Sequence, residues 1–246
     1  MLKTALIIHG YPQPVVKGHF LYDFFEQNGW EIIAPYLFTD KFIFTPENVQ
    51  KYLENELEDR KPDVIVGVSL GGLIAPLIAQ NYPDSKLILI ATGSCFKPKS
   101  KIIGFFYKAM ANKKLLGLAY NSIGSMPKKI LSSFYAFLSR PYTKDASTRE
   151  IYRQDSQKNI ELILKIPINK DEEIIDSALK IDNRQLLKTI KNKTLIFAGK
   201  KDILMPLELS QKLKTLLTNS QLIITPGQHF NSITKDNIID LKIFLA

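Results

Sequence analysis

In the run DVIVGVSLGGLIAPLIA, from Asp63 to Ala79, one polar side chain, Ser69, stands between a β-branched apolar run and an apolar run at helical spacing, with Gly67, Gly71 and Gly72 around it. A serine hydroxyl is a poor nucleophile until a neighbouring base takes its proton, and that base works best when an acid orients it. The chain has three histidines. His9 closes IIHG and reads as a turn-supporting residue, while His19 opens a helical stretch and reads as a satisfied or exposed helix histidine. His229, in TPGQHF, is the one that follows an acid placed after the preceding strand-like run: Asp202 in FAGKKDILMP, 27 residues earlier. Ser69, Asp202 and His229 are therefore the residue types, in a workable order, for acyl transfer to water. Each also has a plainer reading. A glycine-rich turn can carry a serine as a helix cap, and an aspartate after a strand can simply cap its loop.

These three residues need a scaffold that brings distant loops together. Val64 to Val68 reads as a strand buried on both faces, and Leu70, Leu73, Ile74, Leu77 and Ile78 recur at helical spacing, so strand turns to helix at Ser69 itself. Gly67 and Gly71 remove side chains that would collide in so tight a turn, and Pro76 is acceptable only within the first turns of the helix. Further strand-like runs lie at 4–9, 31–34, 86–91, 194–198 and 221–225, and helical stretches at 18–28, 46–59, 70–82, 207–217 and 233–245. Alternation of this kind predicts a mostly parallel six-stranded sheet with helices on both faces, whose ligands bind at the carboxyl edge of the strands. The rhythm breaks between Cys95 and Lys180, where KIIGFFYKAMANKK and KKILSSFYAFLSR signal helices without a strand. A structureless loop of that length is improbable in a compact domain, so residues 95–180 are expected to form a helical cap inserted into a core of residues 1–94 and 181–246.

The motifs HGYP, GWEIIAPYL, GVSLGG, LLKTIKNKTLIFAGKKDILMP and GQHF, taken together over nearly the whole chain, resemble the α/β-hydrolase superfamily in the style of its small capped serine esterases and carboxylesterases. The resemblance implies an α/β-hydrolase fold with Ser69, Asp202 and His229 as a catalytic triad. It also implies an oxyanion hole made by the backbone N–H groups of Tyr11 and Leu70. Two features depart from the pattern: Thr4 already lies in the first strand, where an extra hairpin usually precedes it, and Tyr36 replaces the acid of the common APDL in APYL. The expected reaction is carboxylic ester hydrolysis. Lactones of the acyl homoserine type, thioesters and acyl esters on a carrier protein would use the same residues, and a ligand receptor on the same fold is the non-enzyme alternative.

Composition narrows the rest. The 246 residues, 45% hydrophobic and 23% charged, suit one large domain. No apolar run approaches a membrane span and no leader pattern opens the sequence; with the single Cys95, which reads as a small packed hydrophobe, this suggests a reducing cytoplasm. No metal or organic cofactor is expected, because neither a two-histidine ligand cluster nor a dinucleotide fingerprint occurs. Of the formal net charge of +9, residues 95–180 carry +8, with 16 Lys and Arg against 8 Asp and Glu. A basic cap is a solvated surface on the plainest reading; as a binding surface it would favour an anionic substrate or an acidic carrier protein, and no nucleic-acid motif accompanies it. Phe105, Phe106, Tyr107, Phe134, Tyr135 and Phe137 are candidates for an acyl pocket or for cap core.

Overall fold

A computed structural model describes residues 2–98 and 146–246, together with residues 101, 104, 105, 108, 111, 112, 114, 117 and 118 between them. Six strands form one sheet: β1 (Thr4–Ile8), β2 (Glu31–Ile33), β3 (Val64–Val68), β4 (Lys86–Ile90), β5 (Thr194–Gly199) and β6 (Ser220–Thr225). The order across the sheet is β2-β1-β3-β4-β5-β6, and all five pairings are parallel. Helices α1 (Phe20–Gln27), α2 (Pro46–Leu57), α3 (Leu70–Ala79), α4 (Ala146–Ile163), α5 (Ile168–Lys180), α6 (Leu207–Leu216) and α7 (Ile238–Leu245) complete the elements used below.

The period of two along each strand decides which helix covers which face. Leu6, Ile8, Ile65, Leu87, Leu89 and Ile196 point to one side and pack with Val49 and Leu53 of α2, Leu73 of α3, Ile174 of α5 and Leu213 of α6. Ala5, Ile7, Val64, Val66, Ile88 and Phe197 point to the other and meet Phe24 and Phe25 of α1 and Leu241 and Phe244 of α7. Both faces are therefore dry, which is why the strands read as continuous apolar runs rather than as alternating ones. Each fully buried Leu, Ile or Phe contributes roughly 2 to 3 kcal/mol.

Strand order reverses direction between β1 and β3, and that switch point sets the location of the site. Ile8 lies opposite Gly67, so the loop leaving β1 and the turn leaving β3 emerge side by side. Gly199 lies opposite Thr225, so the loops after β5 and β6 emerge together at the same edge.

The helix bounds differ most from the sequence expectation in two places. The last helix begins at Ile238, not 233, because Thr234 and Asn237 cap one another around a 3-10 turn, the Asn237 side-chain amide oxygen accepting from the Thr234 N–H at 3.1 Å. Helix α3 ends at Ala79 and accommodates Pro76 in its second turn. At the ends of the 95–180 segment, Cys95 and Asp182 form an isolated antiparallel bridge, and the Asn183 N–H donates to the Ser94 carbonyl at 2.8 Å.

Candidate active site

Ser69 occupies the turn between β3 and α3 at φ 51°, ψ −112°, a strained conformation for a residue with a Cβ. Its N–H donates to the Ile90 carbonyl at 2.9 Å, and the Thr92 hydroxyl donates to its carbonyl at 2.9 Å, so neighbouring β4 and its loop hold the strained turn in place. Gly67 clears the turn as the sequence expects, since a Cβ there would lie 2.7 Å from the Gly71 carbonyl and from the Ala75 Cβ, whereas a Cβ on Gly71 would run into the Ile8 carbonyl of β1. Gly71 thus lets the Ser69 turn sit directly on the first strand.

His229 lies in the loop after β6, on a 3-10 turn of residues His229–Asn231. The Asn231 side chain accepts from the Gln228 N–H at 2.5 Å, and the Ser232 hydroxyl donates to the Gln228 carbonyl at 2.5 Å. With its ring edge-on to Phe230 and 8% exposed, the imidazole has one orientation. Its Nε2 is 2.8 Å from the Ser69 Oγ and its Nδ1 is 2.8 Å from the Asp202 Oδ2. The second carboxylate oxygen of Asp202 accepts from the N–H groups of Leu204 and Met205 at 2.9 and 2.8 Å. Asp202 therefore caps its own loop and holds the histidine at the same time. In this tautomer Nδ1–H donates to Asp202, which leaves the Nε2 lone pair facing the serine hydroxyl.

The other candidate residues separate cleanly. His9 is buried: Nδ1 donates to the Gly10 carbonyl at 2.8 Å, and Nε2 accepts from the Leu37 N–H at 3.0 Å. Burial pushes its pKa down to about 4, which keeps it neutral and structural. His19 caps α1 by accepting from the Leu21 N–H at 3.2 Å, and its partial burial lowers its pKa. Cys95 is a half-buried free thiol, less enclosed than a packed hydrophobe. Two other acids, Asp176 and Asp182, pair with Lys180 and Arg184 at the surface, away from the histidine. Leu70 is the first residue of α3, so its N–H has no intrahelical acceptor. Tyr11 follows Gly10, where a Cβ would lie 3.0 Å from the Ser69 Cβ, so the loop after β1 rests against the Ser69 turn. Phe105 is exposed; Phe106, Tyr107, Phe134, Tyr135 and Phe137 lie outside the described residues.

Two clefts meet at Ser69. One is walled by Leu70 and Leu73 of α3, Ile174 and Ile175 of α5, and Leu204 and Met205 of the loop after Asp202. The other is bordered by Gln13, His19, Phe20, Phe230 and Ser232. Tyr11, Ser69 and His229 belong to both. The first cleft suits a hydrocarbon chain, since its walls are almost wholly apolar.

The sequence reading missed Asp171. It is fully buried on α5, accepts a hydrogen bond from the Tyr11 phenol at 2.9 Å, and burial raises its pKa to about 7. Its signal was present: in the series Asp171, Ile174, Ile175 and Ala178, it is the acidic residue on the apolar stripe of its helix. Among the described residues no helix is long and apolar enough to cross a membrane.

The family model for the alpha/beta hydrolase fold matches residues 6–236. The pimeloyl-[acyl-carrier protein] methyl ester esterase of Wigglesworthia glossinidia brevipalpis is 28% identical over an alignment of 177 positions that covers 69% of this chain and 63%, less than two thirds, of that protein. Among solved structures, the alpha/beta hydrolase enzyme MGS-M2 from a Medee basin deep-sea metagenome library superposes with a TM-score of 0.73 at 17% identity, over 99% of this chain and 89% of that one. The esterase EaEST from Exiguobacterium antarcticum gives a TM-score of 0.68 at 18% identity, over 99% and 91%. With a family match over most of its length, the chain belongs to the alpha/beta hydrolase fold family.

Proposed function

We propose that the protein is a serine carboxylesterase that cleaves esters through an acyl-enzyme on Ser69. The observation that carries this reading is the continuous hydrogen-bonded line from Ser69 through His229 to Asp202, each step 2.8 Å. Acyl transfer uses every part of it. As the Ser69 Oγ bonds to the ester carbonyl carbon, its proton passes to the His229 Nε2, and Asp202 stabilises the imidazolium. The carbonyl oxygen becomes an oxyanion that accepts from the N–H groups of Tyr11 and Leu70. Collapse breaks the carbon–oxygen bond to the alcohol, which leaves with the proton from His229. Water then enters, loses a proton to the same nitrogen and bonds to the acyl carbon; the bond to the Ser69 Oγ breaks, His229 returns the proton to that oxygen, and the acid is released. No step calls on a cofactor. The acyl chain lies in the cleft walled by α3 and α5, and residues 95–180 act as the cap that closes over it.

Within this chemistry, acyl esters carried on an acidic protein are the favoured substrate class. Two observations support that choice: the +8 charge of residues 95–180 and the Wigglesworthia relative, a pimeloyl-[acyl-carrier protein] methyl ester esterase. Lactones and thioesters compete for the same residues. A hydrolysis panel across acyl chain lengths, with oxygen esters, thioesters, lactones and a carrier-bound methyl ester side by side, tests the reading. Preference for oxygen esters, highest for the carrier-bound one, supports it. Absence of turnover on every substrate would favour a receptor on the same fold.

A further inference from the structure

Asp171 is a fully buried carboxyl group to which the ester mechanism gives no task. It reaches Tyr11 across 160 residues of sequence, and the 2.9 Å bond from the phenol ties α5 to the loop that rests on the Ser69 turn. Helix α5 does not depend on this bond for its place. The Lys170 ammonium donates to the Phe42 carbonyl at 2.5 Å, the Glu173 carboxylate accepts from the Phe44 N–H at 2.8 Å, and the Ser177 hydroxyl donates to the Phe44 carbonyl at 2.6 Å. What the Asp171 bond fixes is therefore Tyr11 itself, which stands between the two clefts and borders both. A buried carboxyl group is a costly way to fill space, and an apolar side chain would pack α5 at least as well.

We propose that Asp171 is a positioning residue: it holds the Tyr11 phenol and thereby fixes the loop whose Tyr11 N–H meets the oxyanion. This rests on the serine-esterase reading given above. Neither side chain bonds to substrate. The effect runs through the backbone at Tyr11, where a displacement of a fraction of an ångström weakens a hydrogen bond that counts only in the transition state. Because Ile174 and Ile175 of the same helix wall the apolar cleft, the acyl chain and the oxyanion loop share one rigid support.

The test is steady-state hydrolysis of a p-nitrophenyl ester by Tyr11→Phe, Asp171→Leu, Asp171→Asn and the double variant Tyr11→Phe/Asp171→Leu, with Ser69→Ala alongside. Tyr11→Phe and Asp171→Leu should each lower kcat about tenfold with KM changed less than twofold, since the interaction lost is one made in the transition state. The double variant should be no worse than either single one, as expected for two halves of one interaction. Asp171→Asn keeps an oxygen that accepts from the phenol and should recover most of the wild-type kcat. If Asp171→Leu fails to fold, Tyr11→Phe, which loses a single oxygen atom, still decides the matter against Asp171→Asn. Unchanged kcat in Tyr11→Phe, a change confined to KM, or additive losses would overturn the positioning role while leaving Ser69 untouched. Turnover by Ser69→Ala at the wild-type rate would instead remove the mechanism on which the role rests.

Discussion

Asp171 and His9 are two buried groups whose titrations oppose each other, and their balance predicts an acid response that substitution at Asp171 should expose. Burial raises Asp171 from an ordinary 3.8 to about 7, so the folded protein holds that proton more tightly than the unfolded chain. Its contribution is full below pH 4 and is lost as pH rises through 7. His9 runs the other way, lowered from 6.5 to about 4, so its contribution is present above 6.5 and is lost as pH falls through 4. Between pH 7 and pH 5 the linkage relation gives Asp171 a gain of about 2 kcal/mol and His9 a loss of about 2 kcal/mol, so the pair nearly cancels. Asp171→Asn removes the gain alone. The variant should therefore lose about 2 kcal/mol more than the wild type over that interval. The Tyr36 phenol, raised by burial and by the nearby Asp171 charge, stays protonated throughout and does not blur the comparison. Urea unfolding followed through the single tryptophan, Trp30, which packs against Phe25, reads the difference at each pH. Parallel pH profiles for the two proteins, within about 0.5 kcal/mol, would refute the burial argument for Asp171.

Other consequences are more direct. Asp202→Asn should lower kcat by about a thousandfold or more in the same ester assay, because an amide can hold the wrong histidine tautomer, and it should barely alter KM. Gly71→Ala should leave little folded protein, since its Cβ would meet the Ile8 carbonyl; loss of soluble yield or of cooperative melting checks this. For an anionic and a neutral ester of equal acyl length, added salt should depress kcat/KM for the anionic one selectively. Charge reversal at Lys114, and at Lys113, Lys128 and Lys129, which lie outside the described residues, should do the same; equal salt responses would mark the basic segment as solvated surface only.

The sheet was legible because its strands are buried on both faces and so appear as short unbroken apolar runs, such as Val64 to Val68. The Ser69 turn was legible for a related reason: the period changes from strand to helix across one residue bracketed by glycines. Asp202 and His229 could be paired by their places after β5 and β6, since parallel strands bring those loops to one edge. Other features depend on three-dimensional neighbours. That Gly71 clears β1, rather than the facing glycine, follows from the Ile8 to Gly67 register, which no local pattern encodes. The division of labour between the two oxygens of Asp202 needs the loop geometry of Leu204 and Met205. Asp171 was overlooked because it sits in the acidic run Asp171-Glu172-Glu173, which reads as a solvated helix start until the face shared with Ile174 and Ile175 is laid out.

The central claim is that Ser69 is the nucleophile, and labelling with a serine-directed phosphonate followed by intact-mass and peptide mapping tests it most directly. A single adduct per chain on Ser69, absent from Ser69→Ala and much slowed in Asp202→Asn, is the predicted result. An adduct on another residue, or labelling of Ser69→Ala at the wild-type rate, would contradict it.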